Sequence, residues 1–205
     1  MNKNKGFTLI ELLVAMAILV IMVLMVAPLM SSISKSNKRT QELNQLDINV
    51  GRTIDVFKRA VRGSQPIQSA WTPNGISTTG EAIYLAVDKN AGKSSSITTA
   101  TAIVINVPRE KITATNDYED EKVVFYYDTS NSSNKRLMLN STTGTTMPTT
   151  YSVILVENVL DANFGYKNNI ATIYLKVKLD PKEDDATARF KEIRDAAVTR
   201  INIQF

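Results

Sequence analysis

The sequence predicts an α+β fold, in which a long N-terminal helix packs on a mostly antiparallel β-sheet. Two observations predict it. The first 63 residues carry helical patterns of apolar side chains, whereas residues 64–205 alternate short β-type segments with polar loops. The 205 residues include neither cysteine nor histidine, which excludes disulfides, Cys/His zinc sites, cysteine nucleophiles and Ser-His-Asp triads.

The helix begins with an apolar stretch that is long enough to cross a membrane. In the 24 residues from Phe7 to Met30 the only charged residue is Glu11, and a helix of that length rises about 36 Å. A basic leader, residues 1–6, precedes the stretch, and further cations follow it, so charge alone does not set the topology. A secretory signal peptide would end at a cleavage site with small residues, but the small residues Ala15 and Ala17 lie in the middle of the apolar run.

Two residues within this stretch are unusual for a membrane helix. A carboxylate at the bilayer centre costs about 2.5–3.5 kcal/mol, but Glu11 lies one turn from the lysine-flanked end, where it can reach the interface. A proline inside a helix removes a hydrogen bond, so Pro28 predicts a kink.

Residues 31–63 predict an amphipathic continuation of the helix. Its serine- and lysine-rich start, Ser31–Thr40, separates the membrane half from the globular half, and Gly63 and Pro66 predict its end. Gly51 weakens the helix by about 1 kcal/mol relative to alanine. Apolar residues recur at steps of three or four and form one stripe: Leu43, Leu46, Val50, Ile54, Phe57 and Val61.

The rest of the chain predicts strands and loops. The clearest strand is Thr172–Leu179, in which apolar and polar residues alternate, so one face is buried and the other is solvated. Two polar stretches, Lys89–Thr101 and Asn140–Thr150, predict surface loops. The predicted strands are Ala82–Val87, Ala102–Val107, Lys122–Tyr127, Arg136–Leu139, Tyr151–Val156, Asn163–Lys167, Ala171–Leu179 and Val198–Phe205.

The N-terminus resembles that of a known family. A basic leader, the hexapeptide Gly-Phe-Thr-Leu-Ile-Glu at residues 6–11 and the apolar run to Met30 are similar to the start of prepilins, the precursors of type IV pilins and of the pseudopilins of type II secretion. The alternative is an ordinary signal anchor with a chance acid. The resemblance implies a pilin-like fold with four segments: a leader (1–6), a membrane and filament-core helix (7–30), its amphipathic continuation (31–63) and a β-rich extracellular domain (64–205).

The resemblance also implies how the chain is processed. A prepilin peptidase would cut between Gly6 and Phe7 and N-methylate the new amine of Phe7, and Glu11 would pair with the N-terminus of a neighbouring subunit during assembly. The Pro28 kink is similar to the proline at which pilin helices bend. The leader would lie in the cytoplasm and the remainder outside the cytoplasmic membrane, in a periplasmic or extracellular filament.

Shorter blocks resemble one subgroup. The helix end at residues 57–60, Val123–Asp128 with Arg136 and Leu137, and Leu155–Val159 with residues 164–166 are similar to J-type minor pseudopilins and W-type minor pilins. This implies a structural subunit that primes assembly at a filament tip. The partners implied are the prepilin peptidase, other major and minor pilins or pseudopilins, and the inner-membrane assembly platform. A major pilin of the shaft and a loop-borne adhesin or DNA-uptake subunit stay open as alternatives.

The remaining charged clusters predict no cofactor. The formal charge of +4 falls to 22 minus 20, or +2, if Lys3 and Lys5 leave with the leader, which is too little to indicate a nucleic-acid partner. Lys35, Lys38 and Arg39 form a cluster that predicts contact with the membrane surface. Two acidic clusters are present: Asp117, Glu119, Asp120 and Glu121, and Asp180, Glu183, Asp184 and Asp185. Oxygen-rich loops can bind calcium, but neither cluster has the spaced ligands of a calcium-binding loop. We therefore expect both clusters to lie in solvated loops. Asn131 and Ser133 fit a glycosylation acceptor pattern.

Overall fold

A computed structural model describes residues 8–67, 72, 76–90, 92–93, 99–110, 118–143, 152–180 and 188–199. It confirms the α+β class. One helix, α1 (Leu9–Gly63), precedes strands whose pairings are all antiparallel in the described ranges. The strands are β1 (Ile83–Ala86), β2 (Thr99–Ala100), β3 (Ala102–Glu110), β4 (Tyr118–Asp128), β5 (Arg136–Thr142), β6 (Ser152–Val156), β7 (Val159–Lys167), β8 (Ile170–Lys178) and β9 (Phe190–Val198).

The strands form two sheets, where the sequence predicted one. The first has the order β1-β3-β4-β5-β6 and the second the order β2-β7-β8-β9. The short strand β2 precedes β3 in the chain but belongs to the second sheet, and the chain passes to the other strands of that sheet at Glu157 and Asn158, between β6 and β7. Asn158 adopts a left-handed backbone conformation (φ 58°), which a short amide side chain tolerates, and its N–H donates to Asn134 Oδ1 at 3.2 Å. This turn joins the last strand of the first sheet to β7 of the second.

The part of α1 from Leu46 to Gly63 packs on both sheets. Val50, Ile54, Phe57 and Val61 are buried, and Leu46 is half-buried against the same core, as the apolar stripe predicted. Phe57 is fully buried, and its ring meets Phe125 of the first sheet edge-on (centroids 5.5 Å apart, 81° between planes). It also lies 6.1 Å from Phe164 of the second sheet, and the two sheet rings are 6.4 Å apart. We call these three residues the phenylalanine cluster; it joins the helix and the two sheets at one point.

The second sheet shows the alternation that the sequence predicted. Ile173, Leu175 and Val177 of β8 are buried, whereas Thr172 is exposed. A two-residue turn, Asn168–Asn169, joins β7 to β8 and holds both residues at positive φ (52° and 63°), as a type I′ hairpin requires. This turn fixes the register that places the apolar positions of both strands on the core side.

Several segments differ from the predicted strands and loops. β9 covers residues 190–198, of which only Val198 was predicted as part of a strand. Most of the predicted terminal strand Val198–Phe205 lies outside the described residues. The two-residue strand β2 lies inside the predicted loop Lys89–Thr101, because Thr99 and Ala100 pair with β7. β5 continues to Thr142, into the other predicted loop, because it pairs along β4 as far as Lys122.

Candidate functional site

The first turn of α1 contains a capping box formed by Thr8 and Glu11. The backbone N–H and the hydroxyl of Thr8 both donate to Glu11 Oε2 at 2.9 Å. In return, Glu11 N–H donates to Thr8 Oγ1 at 3.4 Å. A helix start leaves four backbone N–H groups without helical partners, and this reciprocal arrangement satisfies two donors there. Thr8 is therefore the N-cap residue, and Glu11 is held one turn inside the helix.

Only one of the two Glu11 carboxylate oxygens is used in this box. Both Thr8 bonds end on Oε2, and Oε1 accepts no hydrogen bond from any residue that the structure describes. The residue is exposed. An ionised carboxylate can accept several hydrogen bonds, so Glu11 can hold its own helix start and receive a cation from outside at the same time.

The apolar half of α1 has no protein partner in the described residues. Every residue from Leu9 to Met30 is exposed, with Leu9 at 83 % and Leu24 at 69 % of their full exposure. By length and composition this segment can cross a membrane. Soluble monomers rarely expose apolar patches above a few hundred Å². An apolar surface of this size is typical of a segment that lies in a membrane or against other apolar helices.

The structure describes two of the four site residues that the sequence predicted. Gly6 and Phe7, the predicted cleavage and methylation residues, lie outside the described residues. Glu11 lies in the first turn of α1, and Pro28 lies within α1, which continues through it, so the kink stays a prediction. The sequence analysis missed Thr8. The signal that would have found it is the spacing Thr-x-x-Glu at residues 8–11, directly before an apolar run.

The expectation of a solvated loop at the first acidic cluster is wrong for Glu119, Asp120 and Glu121, which lie in strand β4 and are half-buried, because β4 pairs with β3 along this segment. Asp120 Oδ1 accepts a hydrogen bond from Asn106 Nδ2 at 3.0 Å, and the backbone carbonyl of Asp120 accepts one from Lys122 Nζ at 3.3 Å. Burial lowers the pKa of Lys122, and the negative charges of Asp120 and Glu119 oppose that shift. Within the described ranges no three acidic side chains converge on a metal position. Asp117 and residues 183–185 lie outside those ranges.

Asn131 lies in the exposed turn between β4 and β5. Its Oδ1 accepts a hydrogen bond from the backbone N–H of Ser133 at 3.0 Å. This is an Asx turn, so the Asn and Ser at residues 131 and 133 have a structural role as turn residues.

Comparison with known proteins bears on the same N-terminal segment. Residues 1–27 match the family model described as the prokaryotic N-terminal methylation motif. Comparison of the chain with curated proteins and with solved structures found no match. The matched residues contain the leader, the capping box and most of the exposed apolar helix. The motif implies processing by a prepilin peptidase and assembly with other pilins at a membrane, and it points to a structural subunit. This motif at residues 1–27 marks a type IV pilin-like prepilin, and the long apolar helix and antiparallel β domain that follow it are consistent with a pilin-like fold.

Proposed function

We propose that this chain is a minor pilin or pseudopilin, a non-enzymatic subunit that joins related subunits at the tip of a type IV pilus or type II secretion-like filament and helps to prime its assembly. The observation that carries the proposal is the exposed apolar half of α1 with one acid in its first turn. Such a surface needs lipid before assembly and apolar helices after it. The J/W-like blocks of the sequence support the minor role.

The precursor is anchored by residues 7–30, with the leader in the cytoplasm and the β domain outside. Cutting after Gly6 creates a charged amine at Phe7, which is then methylated. In the sequence Phe7 directly precedes the N-cap Thr8, so the cut creates the new amine four residues before Glu11. The helix then leaves the bilayer for a filament core that is equally apolar.

Glu11 supplies the charged contact of assembly. A carboxylate in an apolar filament core is tolerable when it is paired, because removing one partner leaves the other charge uncompensated. The capping box keeps Glu11 ordered and part-satisfied while the subunit waits in the membrane, and Oε1 is the oxygen available to the amine of a neighbouring subunit.

The proposal is tested by crosslinking in cells followed by mass spectrometry, which reports both the mature N-terminus and the neighbouring subunits. We expect a chain that begins at methylated Phe7 and is crosslinked to other low-abundance pilins. Gly6→Leu should leave an uncut, membrane-bound precursor. A mature chain that begins elsewhere would overturn the processing step, and a chain that dominates purified filaments would be a shaft subunit instead.

The role of Glu11 is tested separately with Glu11→Ala. The variant should be cut normally but should enter filaments poorly, because the amine of the neighbouring subunit loses its partner. The matched control is Glu42→Ala, which removes an exposed acid from the same helix beyond the apolar stretch. Normal assembly of Glu11→Ala, or equal loss in both variants, would contradict the pairing.

A further inference from the structure

Three cations follow the apolar half of α1 without an anionic partner. Lys35, Lys38 and Arg39 are exposed, and none of them forms an ion pair or hydrogen bond with another described residue. No acidic residue occurs in the sequence between Glu11 and Glu42. Elsewhere in the described chain, cations such as Lys58 and Lys191 do pair with acids. We call the three residues the basic collar.

The helix places the basic collar at the depth of lipid headgroups. Ile33 is the last exposed apolar residue of the stretch, and the three cations lie two, five and six residues beyond it. At 1.5 Å per residue they stand about 3, 7.5 and 9 Å above it along the helix axis. The headgroup layer on each side of the hydrocarbon core is about 5–7.5 Å thick. Long Lys and Arg side chains adjust within that range.

The helix also places the three cations on one side. Spacings of three and four residues bring side chains together on a helix surface, and like charges at that spacing repel one another. The structure shows α1 to be helical from Leu9 to Gly63, so this grouping belongs to the fold and does not depend on a loop. An external anion relieves the repulsion.

We propose that the basic collar binds the headgroups of anionic phospholipids in the leaflet from which the helix emerges. The inference rests on the proposed membrane-anchored stage. Phospholipid is the favoured anion because the same helix that carries the collar has its apolar surface in the bilayer directly below. Each cation near an anionic surface contributes about a fivefold preference at low salt, and exposed charges lose most of it when salt shortens the screening length.

The experiment uses the full-length precursor in nanodiscs of phosphatidylcholine. The chain contains no cysteine, so Ser36→Cys provides a single site for a fluorescent donor on the collar turn. Energy transfer is measured to a small fraction of headgroup-labelled phosphatidylglycerol or, in parallel, headgroup-labelled phosphatidylcholine. The test variant adds Lys35→Gln, Lys38→Gln and Arg39→Gln. The control variant adds Arg52→Gln, Arg59→Gln and Lys167→Gln, which removes the same charge from exposed positions further along the chain.

We expect phosphatidylglycerol to be enriched at the donor by about fivefold or more in the parent and in the control variant. The enrichment should fall to parity in the test variant and in 0.5 M NaCl. An inserted parent chain without enrichment, or equal loss in the control variant, would overturn the collar. A parent chain that carbonate extracts from the discs would instead overturn the membrane-anchored stage, so the two failures are distinguishable.

Discussion

Replacement of Phe57 should weaken the globular unit more than any other single change in α1. Phe57 is fully buried and contacts one ring from each sheet. Removal of a buried Phe side chain to Ala costs about 3–5 kcal/mol of unfolding free energy. Phe57→Leu keeps most of the volume but loses both ring contacts, each worth about 0.5–1.5 kcal/mol, so it should cost about 1–3 kcal/mol.

The assay is urea unfolding of the full-length protein in mild detergent, followed by circular dichroism and by the fluorescence of Trp71, the single tryptophan. Val56→Ala is the matched control, because Val56 is the preceding helical residue and is 40 % exposed. It should change the unfolding free energy by less than about 0.5 kcal/mol. If Phe57→Ala cost no more than Val56→Ala, the phenylalanine cluster would not join the helix to the sheets.

Four further changes are predicted. Gly51→Ala should stabilise the folded chain by up to about 1 kcal/mol in the same assay, because a Cβ there meets nothing within 4 Å. Gly80→Ala should destabilise the chain, because Gly80 has φ +87°, a backbone conformation that alanine adopts only with strain. Asp195→Asn should cost about 1 kcal/mol or less at pH 7, since it breaks a 2.7 Å ion pair with α1 at the surface. Thr8→Val should be cut normally but should speed hydrogen exchange in the first turn of α1, because the capping box of Glu11 is lost, at a cost of about 1 kcal/mol.

The effect of Asp195→Asn on the unfolding free energy should depend on pH. A hydrogen bond from Lys58 lowers the pKa of the Asp195 carboxyl in the folded chain, relative to about 3.9 in an unfolded chain. The stabilisation is therefore complete above that value and is lost as the pH falls through the folded-state pKa. The difference between the parent and Asp195→Asn should disappear in that acidic range. A difference that stayed constant into the acid range would show that the ion pair contributes nothing.

Clear results would also contradict the predictions for Gly51→Ala and Thr8→Val. A loss of stability in Gly51→Ala would mean that the helix surface at this position is covered. Unchanged exchange in Thr8→Val would mean that the hydroxyl does not cap the helix. Thr8→Ser, which keeps the hydroxyl, serves as its control.

The sequence predicted the elements whose side chains follow a regular period. The stripe of α1 and the alternation in β8 are set by burial on one face, and burial is what the pattern records. β9 carries charges on its core-facing side: Lys191 pairs with Asp47, and Asp195 pairs with Lys58, both at 2.7 Å. These partners come from α1, far away in the chain, so no local pattern reveals that a charged segment forms a strand.

The candidate site was predictable to a different extent. Glu11 stands out because a charge interrupts an apolar run, and that contrast is visible in any sequence. Thr8 does not stand out, because a hydroxyl is ordinary near a helix start and its role depends on the geometry of the first turn. The division into two sheets rests on pairings between segments far apart in the chain, such as β2 with β7, which no local pattern reveals.

The phenylalanine cluster has a mechanical consequence for a subunit held in a filament by its N-terminal helix. In the filament that we propose, tension along α1 would reach the β domain through the buried helix residues Val50, Ile54, Phe57 and Val61, and the ring of Phe57 lies between both sheets. Because that ring touches Phe125 and Phe164 together, the load is divided between both sheets at once and does not peel away a single edge strand. Both sheets would therefore share the load, without the disulfide bonds that a cysteine-free chain cannot form.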